Sequence, residues 1–363
     1  MSQTAIPFHF IRGGTSRGPY LNRRDLPEDR ETLARVLVAM IGSGHPLNID
    51  GIGGGAAVTT KVAMLSPSED DWADVDYFFA QVGVEDGRVD FRPTCGNILV
   101  GVGPAAIEMG LIPATGSITE IRIRAVNTGA RVLAKVRTEA GAVRYDGDTR
   151  IDGVPGTAAP VDLNFMDVVG GATGALFPTG NRIDRIDGIA VSCMDVAMPM
   201  VIARAADFGL TGTESAAELD ANRDFYARME PIRVEAGKRM GMGDVSNSVT
   251  PKFGLVAPAA AGGTALTRYF MPKNCHPSLA VTGSQCLSAC LLCPGTVAEG
   301  LADLPDTGPT PLTLEHPMGV LDVVMDYRRE GDELTLISAG LTRTARKLAS
   351  GEVFIPGTIW SGA

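Results

Sequence analysis

The chain has 363 residues, enough for two domains of ordinary size, and 45% of them are hydrophobic, which suffices for full globular cores. A net charge of -10 without a basic run argues against nucleic acid or an anionic membrane as a partner. The sequence has neither a long apolar stretch nor the N-terminal shape of a signal peptide. We therefore expect a cytoplasmic protein whose six cysteines are thiols.

The chain opens with a glycine-rich turn between two short strands predicted within residues 6–22. The turn reads Arg12-Gly13-Gly14-Thr15-Ser16-Arg17-Gly18. Its backbone N–H groups and two guanidinium groups suit a carboxylate or a phosphate. A plain hairpin with solvated arginines is the alternative. The final Gly-Lys-Ser/Thr of a nucleotide-binding P-loop is missing.

Residues 27–42 are predicted to form a helix with Pro27 in its first turn. Its apolar face is expected to contain Leu33, Val36, Leu37 and Met40. A second glycine-rich segment, residues 49–55, follows this helix. Dinucleotide-binding loops lie between a strand and a helix, whereas the segment after these glycines is typical of a strand, so we reject that interpretation.

Lys61 interrupts this apolar strand. A lysine in such a place is usually at a sheet edge or extends its charge to solvent. A partly buried lysine can also act as a base, because burial favours the neutral amine. Both interpretations remain open from the sequence.

The chain is organised around Cys95. Pro93 can end the strand before it, Thr94 is a good N-cap, and the residues from Ile98 lead to a C-terminal Gly110. We therefore predict that Cys95 lies in the first turn of a buried helix, where free N–H groups lower a thiol pKa and attract a carboxylate. A buried structural cysteine is the alternative.

The second half of the chain repeats the first. Strands are predicted at 118–165, a connection at 166–188, strands again at 189–205 and a helical region at 214–240. Lys252 follows Lys61, and Cys286 follows Cys95, at one common offset in the sequence. This spacing indicates an internal duplication, which would place the two cysteines at equivalent positions. An apolar helix is predicted from there to about Gly300.

Cys286, Cys290 and Cys293 form a C-x3-C-x2-C pattern, which also occurs at iron–sulfur clusters. Apolar neighbours and helical spacing favour thiols packed on one helix face. Cys275-His276 lacks a second ligand pair with zinc spacing, so we predict no metal site. His276 immediately precedes the second helix start and is expected to line a binding cleft.

Together these segments resemble the 4-oxalomesaconate tautomerase and isomerase family, related to the methylaconitate isomerases of the diaminopimelate-epimerase-like superfamily. The resemblance covers almost the whole chain. The segments that carry it are Phe10–Gly18, Ile49–Gly54, Thr60–Ala63, Cys95–Leu99, Ile151–Thr157 and Cys275-His276.

The resemblance implies an α+β fold of two similar domains, each a β-barrel-like roll around a central helix, with the active site between them. We place the domains at residues 1–180 and 181–363, with the last strands able to cross back to the first. It implies Lys61 and Cys95 as acid/base groups, no metal and no organic cofactor. The predicted substrate-binding residues are Arg12, Thr15, Ser16, Arg17, Gly53, Gly54, Gly96, Asn97, His276, Gly283 and Ser284.

The function so implied is an isomerase that moves a double bond by proton transfer in an unsaturated keto tricarboxylate of aromatic-compound catabolism, such as gallate breakdown. A methylaconitate-type isomerase, or a racemase or epimerase using Cys286 as a second thiol, is the alternative. A non-catalytic accessory protein is the alternative from another class. The expected partners are the small tricarboxylate and a second copy of the chain in a homodimer.

Overall fold

A computed structural model describes residues 3–362, which mix helices and strands along the whole chain. The chain divides into two compact units. One contains the residues up to Phe165 and those from Thr342 onward, and the other is Met166–Leu341. The boundary predicted at residues 180 and 181 thus lies inside the second unit.

The first unit is an eight-stranded closed barrel. Its strands are β1 (Gln3–Gly13), β2 (Ser16–Asn22), β3 (Lys61–Pro67), β4 (Val75–Val82), β6 (Ile118–Ala125), β7 (Ala130–Glu139), β9 (Pro160–Met166) and the end of β18 (Glu333–Pro356). Each strand pairs with the next in this order, and β18 pairs back with β1. Two short strands, β5 (Val89–Asp90) and β8 (Ala142–Val143), extend β4 and β7. Closure leaves no free sheet edge in the barrel.

Helix α1 (Arg30–Ile41) packs its apolar side chains in a buried cluster with strands of the barrel. All four residues predicted for its apolar face are buried. The predicted start is wrong, because the Asp29 side chain accepts the N–H groups of Glu31 and Thr32 and so caps the helix after Pro27.

Two short helices, α2 (Gly96–Val100) and α3 (Val102–Glu108), take the place of the single helix predicted after Cys95. Pro104 has no N–H for the carbonyl of Val100, so the helix breaks at Gly101. Cys95 itself is the N-cap, and the prediction that Thr94 caps the helix is wrong by one residue. The apolar residues of both helices are buried, and the helices contact β1, β2, β3 and β7.

Cross-strand register separates the two faces of the barrel. Tyr20 of β2 lies opposite Ala63 of β3, and its hydroxyl donates to the carbonyl of Ile98 in α2 at 2.6 Å. The next residue, Leu21, packs instead in the cluster that contains α1. Successive side chains of a strand point to opposite faces, so the Tyr20 face is internal and the Leu21 face is external.

The second unit also combines one run of strands with helices. The strands are β10 (Asp184–Ile186), β11 (Ile189–Val196), β12 (Met198–Arg204), β13 (Lys252–Ala257), β14 (Ala265–Met271), β15 (Asn274–Cys275), β16 (Thr310–His316), β17 (Gly319–Glu330) and the start of β18. The helices are α4 (Ala216–Ala221), α5 (Arg223–Arg239) and α6 (Val281–Leu292). The predicted continuation of α6 to Gly300 is wrong, because Pro294 disfavours a helical backbone at Cys293, which is extended.

Both units follow one order of strand pairing. In the first, β1–β2 is antiparallel, β2–β3 parallel, β3–β4 antiparallel and β4–β6 parallel. In the second, β11–β12, β12–β13, β13–β14 and β14–β16 alternate in the same way. In each unit a buried helix follows a two-residue strand, β5 or β15.

Candidate active site

The tip of the β1–β2 hairpin packs directly on the start of α2. Gly14 has φ +52°, and a Cβ built on it would overlap Oδ1 of Asn97, so the position requires glycine. The Asn97 side-chain amide donates to Oγ1 of Thr15 at 3.0 Å. The structure therefore brings together two of the residues predicted to bind substrate, Thr15 and Asn97.

Gly14→Ala is expected to destabilise the protein more than Gly116→Ala, its matched control. Gly116 has a similar φ of +63° but no neighbour within 4 Å of a built Cβ. The left-handed backbone should cost each variant about 1–2 kcal/mol, and overlap with Asn97 should cost Gly14→Ala roughly 1–3 kcal/mol more. Urea denaturation measures both free energies of unfolding. Equal losses would mean that the hairpin tip is not held against α2.

Lys61 begins β3, and its side chain lies on the internal face. Its Nζ donates to Oε1 of Gln81 at 2.8 Å and lies 5.5 Å from the centre of the Phe79 ring. A Cβ on Gly18 would overlap the carbonyl oxygen of Lys61, so the hairpin strand β2 packs directly on the Lys61 backbone. Lys61 is neither fully buried nor fully exposed.

Gln81, which the sequence did not single out, holds the side chain of the candidate base Lys61. Its Nε2 donates to the Ala57 carbonyl at 3.2 Å, to Oγ1 of Thr60 at 3.1 Å and to the Val82 carbonyl at 3.2 Å. These acceptors surround the amide nitrogen and share its two hydrogens, so the amide oxygen faces Lys61. Gln81 interrupts the otherwise aromatic and apolar run from Tyr77 to Val82, and this was the available signal.

Cys95 lies at the start of α2 and is half-buried. The first N–H groups of α2, which include those of Gly96 and Asn97, have no acceptor within the helix. Tyr77 donates its hydroxyl to the Cys95 carbonyl at 3.3 Å. Burial raises the pKa of Tyr77 well above its ordinary value, so the hydroxyl stays protonated as a donor.

Lys61 and the Cys95 backbone both contact side chains of strand β4. Tyr77, Phe79 and Gln81 alternate along one face of this strand, and the two rings lie 6.3 Å apart between centres. Gln81 and Phe79 contact the Lys61 amine, while Tyr77 contacts the Cys95 backbone. The two predicted acid/base residues therefore lie along one internal strand face.

Ser16 also lies on this internal face, at the base of the hairpin turn. Its Oγ is buried and has no hydrogen-bond partner within residues 3–362. A buried hydroxyl without a partner is unfavourable, and a ligand oxygen could satisfy it.

Arg12 and Arg17 lie opposite each other on the external face, not beside Lys61. Arg12 Nη1 donates to the carbonyls of Gly14 at 2.9 Å and Thr344 at 2.8 Å. Arg17 lies over the Phe10 ring, at 5.6 Å from its centre. Strand alternation thus separates both guanidinium groups from the face that carries Lys61, and the expectation that they clamp substrate beside it is corrected.

Gly53 and Gly54 follow α1 in the chain, and Gly54 packs close to the side chain of Arg17 on β2. The Gly53 N–H donates to the Ile41 carbonyl at 3.0 Å. A Cβ on Gly54 would lie 2.9 Å from Nη2 of Arg17 and 2.7 Å from Oγ1 of Thr59. Close packing accounts for these glycines, and their predicted role in substrate binding stays a prediction.

Gly283 lies in the first turn of α6, where its N–H has no acceptor within the helix, whereas Ser284 lies one residue further on. Helix α6 begins at Val281, and the Ser284 N–H already donates to the Ala280 carbonyl at 2.8 Å. A Cβ on Gly283 would overlap the ring of Tyr269. The Ser284 N–H is therefore not available to a ligand, and a role of the Gly283 N–H in carboxylate binding stays a prediction.

Cys286 does not match Cys95 in its local structure. It lies inside α6 and is fully buried, whereas Cys95 is an N-cap. Burial raises the pKa of Cys286 well above its ordinary value, so it stays a neutral thiol near pH 7. The predicted equivalence of the two cysteines is therefore wrong in local geometry.

His276 and Lys252 belong to the second unit. Nδ1 of His276 accepts the Ser278 N–H at 3.0 Å, and burial lowers the pKa of His276, so the ring is neutral at pH 7. Lys252 begins β13 as Lys61 begins β3. Burial, followed by the charge of Arg233, lowers the pKa of Lys252.

Within residues 3–362, no group of three or more His, Cys, Asp or Glu side chains is arranged to hold a metal ion. Cys286 and Cys290 lie in α6 and Cys293 caps its end; all three are buried as free thiols. Among the same residues, no helix is long and apolar enough to cross a membrane.

Comparison with known proteins identifies the family. The family model described as PrpF protein matches residues 3–356. The chain belongs to the PrpF family. The 4-oxalomesaconate tautomerase of Pseudomonas putida is 45% identical to this PrpF chain over 362 residues, which are 100% of this chain and 99% of that one. The Escherichia coli protein YbhH is 51% identical over 351 residues, which are 97% and 99% of the two chains.

Solved structures agree with this assignment. A methylitaconate-delta-isomerase superimposes on this PrpF protein with a TM-score of 0.90 at 34% identity, covering 99% of this chain and 97% of that one. A hydroxyproline epimerase from Agrobacterium vitis has a TM-score of 0.51 at 13% identity over 98% and 93% of the chains, a likeness of fold alone. The sequence resemblance is confirmed, and the protein is an isomerase.

Proposed function

We propose that this PrpF-family isomerase moves a double bond in an unsaturated keto tricarboxylate, as a 4-oxalomesaconate tautomerase does. The observation that carries the proposal is the placement of Lys61 and Cys95 along one face of β4. The 45% identity to a tautomerase over the whole chain supports the substrate class. Breakdown of aromatic compounds is the metabolic setting in which we expect this reaction.

The reaction consists of two proton transfers and needs no cofactor. A base removes a proton from the carbon next to the ketone, and the electron pair moves onto the oxygen as an enolate. The enolate is then reprotonated at a different atom, which shifts the double bond. Lys61 is assigned as the base and Cys95 as the partner acid, although the roles can be exchanged.

The neighbours of Cys95 suit a substrate with several carboxylates. The N–H groups of Gly96 and Asn97 have no acceptor within α2, and Thr15 and Ser16 add hydroxyl groups. Donors of this kind stabilise carboxylates and a developing enolate oxygen. Arg12 and Arg17 are left out of this set because of their external position.

The two units are proposed to derive from an internal duplication. Their common order of parallel and antiparallel strand pairs supports it, as does a buried helix after β5 and after β15. Each helix would be the centre of its unit. In this view the second unit kept its helix and lost the cysteine at the N-cap, since Ala280 is the N-cap of α6.

A panel of keto tricarboxylates tests the function. We expect a change in ultraviolet absorbance as the conjugated double bond moves, together with uptake of solvent deuterium into substrate. A non-catalytic accessory protein would bind a tricarboxylate without either signal. Exchange at a stereocentre without a spectral change would indicate an epimerase.

Substitutions of Gln81 test how Lys61 is held. Gln81→Met removes the acceptor, and we expect kcat to fall roughly tenfold to a hundredfold through misplacement of the amine. Gln81→Glu puts a carboxylate beside the amine and stabilises its charged form, so the acid limb of the pH–rate profile should move to higher pH. Gln3→Glu adds the same charge at an exposed site and is the control. A profile shifted equally in both glutamate variants would contradict a specific contact.

A further inference from the structure

A row of three arginines crosses the external face of the barrel. Arg17 on β2 lies directly opposite Arg12 on β1, and Arg12 lies directly opposite Arg346 on β18. Like charges in directly opposed positions destabilise a sheet. Such a row in a chain of net charge -10 suggests that an anion compensates the three positive charges.

No carboxylate of the described residues 3–362 pairs with this row. Among these described residues, the Arg12 side chain donates to two backbone carbonyls, and Arg17 lies over the ring of Phe10. Burial, and then the charge of Arg346, lowers the pKa of Arg12. The half-buried guanidinium of Arg12 thus lacks the partner that such a group usually has.

A cavity of about 180 Å³ lies over the row. Besides the three arginines it is lined by Val154, Pro155 and Thr157 of the loop before β9. Drug-sized ligands occupy pockets of roughly 300–1,000 Å³, so this cavity suits a smaller molecule. A lining that combines guanidinium groups with apolar side chains fits a short carbon chain with a carboxylate at each end.

We propose that this cavity is a binding site for a small dicarboxylate, separate from the Lys61 and Cys95 site. The separation rests on strand alternation, which directs Arg12 and Arg17 away from the face that carries Lys61. Arg12 also holds the carbonyl of Gly14 at the hairpin tip. An occupant would therefore contact the element that packs on Asn97, and binding should stabilise the fold.

Calorimetric titration of the whole chain with malonate tests the site. We expect binding that weakens as salt is added, and that weakens about tenfold or more in Arg346→Gln. Arg88→Gln removes the same charge at an exposed turn and should bind like wild type. Acetate, with one carboxylate, should bind more weakly than malonate. Phosphate, which cannot use the apolar wall, should also bind more weakly.

Cys95→Ser distinguishes this site from the reaction site, and it does so whether or not the proposed reaction occurs. Malonate should bind Cys95→Ser and wild type equally. Loss of binding in Cys95→Ser, equal binding by Arg346→Gln and wild type, or no binding to wild type would each overturn the proposal. Phosphate binding more tightly than malonate would overturn the assignment to dicarboxylates. Circular dichroism and thermal melts check that each variant is folded.

Discussion

Lys61→Met is expected to lower the isomerisation rate by about 10²- to 10⁴-fold, the usual scale for losing an acid/base group. Methionine keeps the length of the side chain and its contact with Phe79, but it cannot accept or donate the proton. Solvent deuterium should no longer enter the substrate, because the first proton transfer is blocked. Exchange followed by mass spectrometry measures this step without requiring complete turnover.

Lys238→Met is the matched control, since Lys238 is exposed and lies in the last turn of α5. It should retain full activity. If Lys61→Met kept full activity and exchange while folded, Lys61 would have no part in the reaction. If exchange persisted while the spectral change was lost, Lys61 would act only in the second proton transfer, and Cys95 would be the base.

Local sequence rules predicted the residues whose positions depend on near neighbours. The apolar periodicity of residues 30–41 indicated the buried face of α1, and the isolated Lys61 in an apolar strand indicated an unusual amine. The helix starts were less accurate. The N-cap of α1 is Asp29, so the helix begins after the predicted Pro27. The N-cap of α2 is Cys95, one residue after the predicted Thr94. The position of a helix start depends on one or two hydrogen bonds, so a predicted start can differ from the observed one by a few residues.

The faces of the hairpin could not be predicted, because they depend on partners distant in sequence. Arg12 is placed by its pairing with β18, more than three hundred residues later, and a register shift occurs between Phe10 and Ile11. One residue of shift moves every side chain to the other face. The sequence therefore grouped Arg12 and Arg17 with Lys61, whereas the strands separate them. Gln81 was missed for the same reason, since its role appears only once β3 and β4 are paired.

The two thiols are expected to respond very differently to removal. Cys95→Ala should cost about 10²-fold or more in kcat, because it removes a proton-transfer group at the half-buried start of α2. Cys286→Ala should retain most of the turnover. Burial raises the pKa of that thiol well above its ordinary value and so keeps it neutral. Steady-state kinetics with the ultraviolet assay, on variants shown to be folded, measures both.

This asymmetry decides between the tautomerase and a two-cysteine epimerase. Racemisation needs an acceptor on one face of the carbon and a donor on the other, so both thiols would have to exchange protons near neutral pH. Burial raises the pKa of Cys286 and so disfavours the thiolate that would have to accept a proton, and in our proposal Lys61 supplies the second group instead. A similar loss of activity in both folded variants, with exchange at a stereocentre, would contradict the assignment of Lys61 and Cys95 as the reacting pair.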